Sequence, residues 1–174
     1  MKSTKIILLG IQLVVLTMMV SQFSTAQQQL QLTDTLKLYP KILYGKFENG
    51  LTYYIRENKK PEQRAELRLV VKAGSVLEDD DQQGLAHFDE HMAFNGTKSF
   101  PKNELINFLE KEGIKLGPDV NAYTSFDETV YMLQIPTDSA QFVAKAFRIL
   151  QEWASAVTYD STEIDKERGV VGEE

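Results

Sequence analysis

The 174-residue chain contains no cysteine. That excludes disulfides, thiolate metal ligands and a lipid-modified cysteine. A stable fold must then rest on its core, and any metal must be held by nitrogen and oxygen donors. Histidine is almost as scarce: there are two, both in the run His87-Phe88-Asp89-Glu90-His91. Positive charge is in deficit, with 19 lysines and arginines against 25 acids, and a net charge of -6 argues against nucleic acid as a partner. There is no internal repeat, and no low-complexity tract beyond a short glutamine run. The one extended apolar run, Ile6 to Val20, is short for a bilayer span of about 20 residues.

That run follows Lys2 and Lys5 and precedes Ser24-Thr25-Ala26, which together read as a secretory signal peptide over residues 1–26, cut after Ala26. An uncleaved membrane anchor is the alternative. Removing the segment takes two lysines and no acids, moving the charge from -6 to about -8. The expected location is secreted or periplasmic, with no stable membrane span after cleavage. Residues 27–41 read as a polar lead-in, and the rest is long enough for one domain with a core.

Asn49-Gly50 between Tyr44–Glu48 and Leu51–Arg56 predicts a hairpin closed by a two-residue turn. Ala65, Leu67, Leu69, Val71 and Ala73 alternate with less apolar residues, predicting a strand with one buried face. The acidic cluster Glu78-Asp79-Asp80-Asp81 suits the positive end of a following helix, Gly84 to Phe94, and otherwise reads as a solvated loop. Pro101 opens a second helix through Glu112. Val120 to Ile135 reads as one long strand or two joined by a turn near Ser125–Asp127, with Thr129, Tyr131, Leu133 and Ile135 on one side. Ala140, Val143, Phe147, Leu150 and Ala154 recur at helical spacing, with Trp153 assigned to packing. Asp160 and Glu163 look like a capping pair starting a last helix. Hairpin-joined strands with helices on one side imply an α+β layer fold, an antiparallel sheet with helices packed on one face.

On a helix, residues four apart share a face, so His87 and His91 can hold one metal ion, with Glu90 on the adjoining edge. Two imidazoles and a neighbouring carboxylate supply two ligands and a general base for zinc hydrolysis, and H-x-x-E-H is the inverted zinc-peptidase signature. A catalytic zinc takes three protein ligands. With no further histidine or cysteine, the third must be an acid. Ile164, Glu167, Val171 and Glu174 recur at spacings of three, four and three, so both glutamates lie on the face that carries two core side chains. Seven residues of helix rise about 10 Å, so one glutamate should ligate and the other act from behind a ligand. Spacing does not say which.

Gly84 to Phe94 with Asn95-Gly96-Thr97, then Asn121-Ala122-Tyr123-Thr124, then Glu167-Arg168-Gly169-Val170-Val171-Gly172-Glu173-Glu174 resemble the pitrilysin/insulinase family of zinc peptidases, in its secreted bacterial branch. The resemblance runs from about Tyr44 to Glu174. It implies His87 and His91 as zinc ligands, Glu90 as general base, Glu174 as third ligand and Glu167 as the supporting catalytic carboxylate. It also implies one zinc per active site, and substrate binding along the strand of Asn121 and Ala122 by backbone pairing. Two features depart from the family. Asp89 stands where an apolar residue is usual, about 200° around the helix from His87, where a carboxylate must reach water or cost stability. Family members are also several times longer, with paired homologous halves. Residues 42–174 are therefore expected to be the N-terminal part of a zinc peptidase domain, truncated at its C-terminus and weak or inactive alone.

The implied function is a zinc-dependent metalloendopeptidase acting on peptides or unfolded proteins, with a second homologous half or subunit as partner. The alternative is a non-catalytic family member acting as a binding or assembly subunit, disfavoured by the presence of every ligand and the base.

Overall fold

A computed structural model describes residues 37–102 and 104–174. The expected signal peptide, and most of the lead-in, lie outside the described residues. Among the described residues no helix is long and apolar enough to cross a membrane. The chain divides between Glu57 and Asn58 into two compact units.

The first unit carries the hairpin of β1 (Ile42–Lys46) and β2 (Thr52–Arg56), antiparallel with Tyr44 opposite Tyr54. The turn differs from the expected two-residue form. Phe47 N–H donates to the Leu51 carbonyl and Gly50 N–H to the Phe47 carbonyl, which leaves a three-residue loop. Only Gly50 takes positive φ (92°), because Asn49 instead accepts the Leu51 N–H through its side chain. This is the tight turn followed by a left-handed residue that suits three-residue hairpin loops.

The second unit is an α+β layer. Strands β3 (Arg64–Val71), β4 (Val120–Thr124) and β5 (Thr129–Pro136) form an antiparallel sheet in the order β3-β5-β4. The stretch 120–135 is thus two strands, joined where Ser125 N–H donates to the Glu128 carbonyl. Register puts Leu67 opposite Leu133 and Val120 opposite the same Leu133, and Leu69 and Ala122 both flank Tyr131. One face of the sheet is therefore continuous and apolar.

Four helices follow the chain: α1 (Leu85–Asn95), α2 (Glu104–Lys111), α3 (Ala140–Ser155) and α4 (Ser161–Val171). Helix α2 begins three residues after Pro101, later than expected. The core gathers Leu105 and Leu109 from α2, Ala93 from α1, Leu133 and Ile135 from β5, and Ile149 and Trp153 from α3. Trp153 stacks on Tyr131 with ring centroids 5.3 Å apart and donates its indole N–H to the Ala93 carbonyl. Burial pushes the Tyr131 phenol up.

Helix α3 buries a different stripe from the expected one. Phe142, Ala146, Ile149 and Trp153 face the core, whereas Phe147 is exposed. Both stripes run at helical spacing about 100° apart, and the one bearing the two large rings at its ends takes the interior. At α4, Asp160 accepts the Thr162 and Glu163 N–H groups, but Glu163 pairs with Lys166 rather than completing a reciprocal cap.

One acid is fully inside. Glu152 on α3 is 1% exposed and accepts from the Thr97 hydroxyl (2.7 Å), the Ser99 N–H (2.8 Å), the Ser99 hydroxyl and Arg148 Nε (2.7 Å). Burial pushes its pKa up, but these donors outweigh it and hold the carboxyl at about 2. The network pins the segment after α1 to α3, assisted by Lys98 N–H to the Ala156 carbonyl and Thr158 N–H to the Gly96 carbonyl.

Because the folded pKa lies below the ordinary 4.5, the Glu152 contribution is present above that value and is lost as pH falls from about 4.5 towards about 2. Glu152→Ala should cost about 3 kcal/mol at neutral pH by leaving Thr97, Ser99 and Arg148 without their acceptor. Urea unfolding at pH 7 and pH 3 checks this: the gap between wild type and Glu152→Ala should narrow at the lower pH.

Candidate metal centre

Helix α1 starts from Gly84 in a left-handed conformation (φ 86°), which supplies no capping side chain. The cap comes from upstream: the Glu78 carboxylate accepts the N–H of Gly84 (2.9 Å) and of Ala86 (2.8 Å). This satisfies two of the free N–H groups at the helix start and sets a negative charge at its positive end. The acidic cluster is therefore not uniformly a solvated loop. Asp79, Asp80 and Asp81 are exposed, while Glu78 anchors the helix that carries both histidines.

One turn separates the imidazoles, and their Nε2 atoms face each other at 3.0 Å. The other side of His91 is fixed. Its Nδ1 lies 2.6 Å from Glu167 Oε1, and Asn95 Nδ2 donates to Glu167 Oε2 at 2.7 Å. A carboxylate only accepts, so His91 carries its proton on Nδ1 and presents Nε2 as a free donor atom. Both Glu167 oxygens are thus engaged behind the ring.

Helix α4 ends at Val171, so the helical face expected through Glu174 stops short of it. Gly172 closes the helix and the chain turns before Glu174. That turn brings Glu174 Oε2 to 3.2 Å from His87 Nε2 and 3.7 Å from His91 Nε2. The two glutamates therefore sit on opposite sides of His91. His87, His91 and Glu174 each offer one donor atom to a common point, all within 4.8 Å of one another.

Zinc bonds to nitrogen and oxygen are about 2.0–2.2 Å, so donors around one tetrahedral ion stand about 3.3 Å apart. Separations of 3.0, 3.2 and 3.7 Å bracket that value. Two imidazole lone pairs and a carboxylate oxygen aimed at one point repel one another without a cation between them, so the donor set fits a divalent ion in chemistry as well as size.

Glu90 is 8% exposed and does not join this triangle. Thr124 of β4 donates to its Oε2 at 2.7 Å, which fixes the carboxylate beside the donors. Glu90, the two histidines and Glu174 line a groove of about 680 Å³ whose far wall is Ala122, Tyr123, Thr124, Ser125 and Phe126. Strand β4 is the outer strand of its sheet among the described residues. The Ala122 N–H is taken up by Asn121 Oδ1 (3.0 Å) rather than by β5, so it points onto the open edge. Asn121 itself does not line the groove.

Asp89 lies outside the cluster, exposed, and accepts the Tyr159 hydroxyl. Burial first, and then this bond to Asp89, push the Tyr159 phenol up to about 12. The carboxylate at the usually apolar position thus reaches water and a donor together.

Sequence reasoning missed Asn95, Thr124, Glu78 and Tyr159 as members of this assembly. Asn95 follows His91 by four residues, and Thr124 alternates with Ala122, so both carried a spacing signal. Nothing local marks Glu78 as the one capping acid of four, or pairs Tyr159 with Asp89 seventy residues away.

The sequence pattern described as insulinase (peptidase family M16) matches residues 53–174. A probable zinc protease PqqL of Haemophilus influenzae is 46% identical over 151 residues, covering 86% of this chain and 16% of that protein. Its Escherichia coli counterpart is 45% identical over 134 residues, covering 77% and 14%. The crystal structure of the first half of the periplasmic protease PqqL from Escherichia coli superposes with a TM-score of 0.77 at 43% identity, over 80% of this chain and 30% of that one. This chain thus spans about a sixth of the curated relatives it matches.

The cap on α1 generates a stability prediction. Glu78→Ala should cost about 1 kcal/mol by exposing two helix N–H groups, and Glu78→Gln less, since an amide oxygen still accepts. Denaturant midpoints of the three proteins check the order.

Proposed function

The chain belongs to the insulinase family, peptidase family M16, and on that premise we propose that it is the metal-holding part of a zinc metalloendopeptidase. His87, His91 and Glu174 would hold one zinc, with Glu167 orienting His91. The observation that carries this reading is the triangle of His87 Nε2, His91 Nε2 and Glu174 Oε2, whose edges match one small tetrahedral ion. When bound, zinc supplies a Lewis acid that polarises a peptide carbonyl and lowers the pKa of water.

The chain's own residues do the rest. Glu90 takes the proton of the attacking water as its oxygen bonds to the carbonyl carbon. It returns that proton to the amide nitrogen as the C–N bond breaks. Thr124 holds Oε2 of Glu90, so the carboxylate meets the water without a rotamer search. Ala122 offers its outward backbone N–H to an extended peptide, which must displace the Asn121 side chain to pair with β4. Asn121 thereby covers the edge when no peptide is bound.

Residues 42–174 are read as the N-terminal part of the peptidase domain, and a second homologous half would enclose the substrate, as the description of a Escherichia coli relative by halves suggests. Residues 1–26 are read as a cleaved signal peptide. That relative is a periplasmic protease, and a periplasmic or secreted location is proposed for this protein too.

The full-length protein should bind about one zinc per chain, and His87→Ala or His91→Ala should largely abolish binding. Glu90→Gln should retain zinc and lose chelator-sensitive peptide hydrolysis, because the amide cannot accept a proton. Stoichiometric zinc in the double histidine variant would remove the site, and near-normal turnover by Glu90→Gln would remove Glu90 from the mechanism.

The two glutamates separate by affinity. Glu174→Gln should weaken zinc binding more than Glu167→Gln, for which a loss of about 10–100-fold is expected from disturbing His91. Competition with a chromogenic chelator measures both, and the opposite order would exchange their roles.

A further inference from the structure

Phe126 is the largest apolar side chain left to solvent in the second unit, 78% exposed, yet it lines the same groove as His87, Glu90, His91 and Glu174. A phenyl ring in water forgoes a substantial hydrophobic gain, about 1.5–3 kcal/mol if fully buried. It is also held firmly. Ser75 N–H donates to the Ser125 carbonyl (3.1 Å) and Val76 N–H to the Phe126 carbonyl (2.8 Å), fastening the β4–β5 turn to the short helical turn Ser75–Leu77. The approach is so close that a Cβ on Gly74 would stand 2.2 Å from the Ser125 carbonyl oxygen, so only glycine fits there.

The neighbouring groove residue is fixed as well. Tyr123 donates its hydroxyl to Glu128 in the same turn (2.7 Å), and that bond pushes the phenol up. An exposed ring on a fixed backbone, continuous with a reactive groove and beside a pairing edge, is arranged to receive a side chain from whatever lies in that groove.

We propose that Phe126 forms the wall of an apolar subsite that selects a substrate peptide carrying an aromatic or large aliphatic side chain near the scissile bond. The proposal rests on the metallopeptidase reading above and adds the substrate class. A peptide laid along β4 sends alternate side chains to opposite faces, so one position in the peptide should meet Phe126 and its immediate neighbours should not. The neighbouring apolar side chains Val76 and Leu77, both exposed on the fastened turn, extend the same surface.

The test uses the full-length zinc-loaded protein carrying Glu90→Gln, so that affinity is read without turnover. A set of fluorescent peptides carries a single Phe stepped through an otherwise small and polar sequence, and anisotropy gives the affinity of each. At one position Phe should bind about tenfold tighter than Ala, roughly 1.4 kcal/mol. Adding Phe126→Ala should erase that gain, and Phe126→Leu should restore much of it. An equal gain with and without Phe126 overturns the proposal. So does the absence of any favoured position. A fall in melting temperature with Phe126→Ala and no change in peptide preference also overturns it, because the ring would then be packed against the rest of the protein. Failure of the underlying reading looks different: protein without the Glu90 change would show no chelator-sensitive cleavage of any peptide, whatever the binding preference.

Discussion

The site depends first on the contact between His91 and Glu167. It joins α1 to α4 across 76 residues of sequence, and it does two things at once. It puts the His91 proton on Nδ1, which leaves Nε2 as a donor atom, and it seats α4 so that the chain after Gly172 arrives opposite His87. Asn95 engages the second oxygen of Glu167, so the carboxylate cannot swing away without breaking two bonds. A surface ion pair would contribute little. This one is part-buried, doubly bonded and geometrically specific.

Around that contact the rest of the second unit acts as a frame. Glu78 caps the start of α1. The Glu152 network fixes the segment just past its end against α3. Thr124 holds Glu90 from the sheet side. Both ends and one flank of the motif helix are thus bonded to different elements, which suits a group of side chains that must keep sub-ångström relations. Such bonds are directional, whereas the apolar contacts of α1 through Met92 and Ala93 tolerate small slides.

Much of the fold was legible because it rests on periodicity. Alternation at Ala65, Leu67 and Leu69 marked the inward face of β3, and the same rule marked Tyr131, Leu133 and Ile135 in β5. The errors arose where two local solutions compete. Helix α3 carries two apolar stripes at valid spacing, and only the shape of the sheet beneath it chose Phe142, Ala146 and Ile149 over Phe147. Asn49-Gly50 fits both two-residue and three-residue loops, and an Asn49 side-chain bond chose the second.

At the site, the sequence by itself determined which residue types could meet. The absence of cysteine and the pair of histidines four apart left only a carboxylate to complete a three-donor set, and helical rise kept Glu167 and Glu174 from serving one point together. What the sequence could not decide was which glutamate stands on which side of His91. That required the packing of α4 on α1 and the chain turn at Gly172, neither of which has a local code. Tertiary structure alone also chose Glu78 from four neighbouring acids, gave Asp89 its Tyr159 partner, and left Phe126 in water at the edge of the groove. Those outcomes follow from distances between segments far apart in the chain, and such distances exist only once the core has closed.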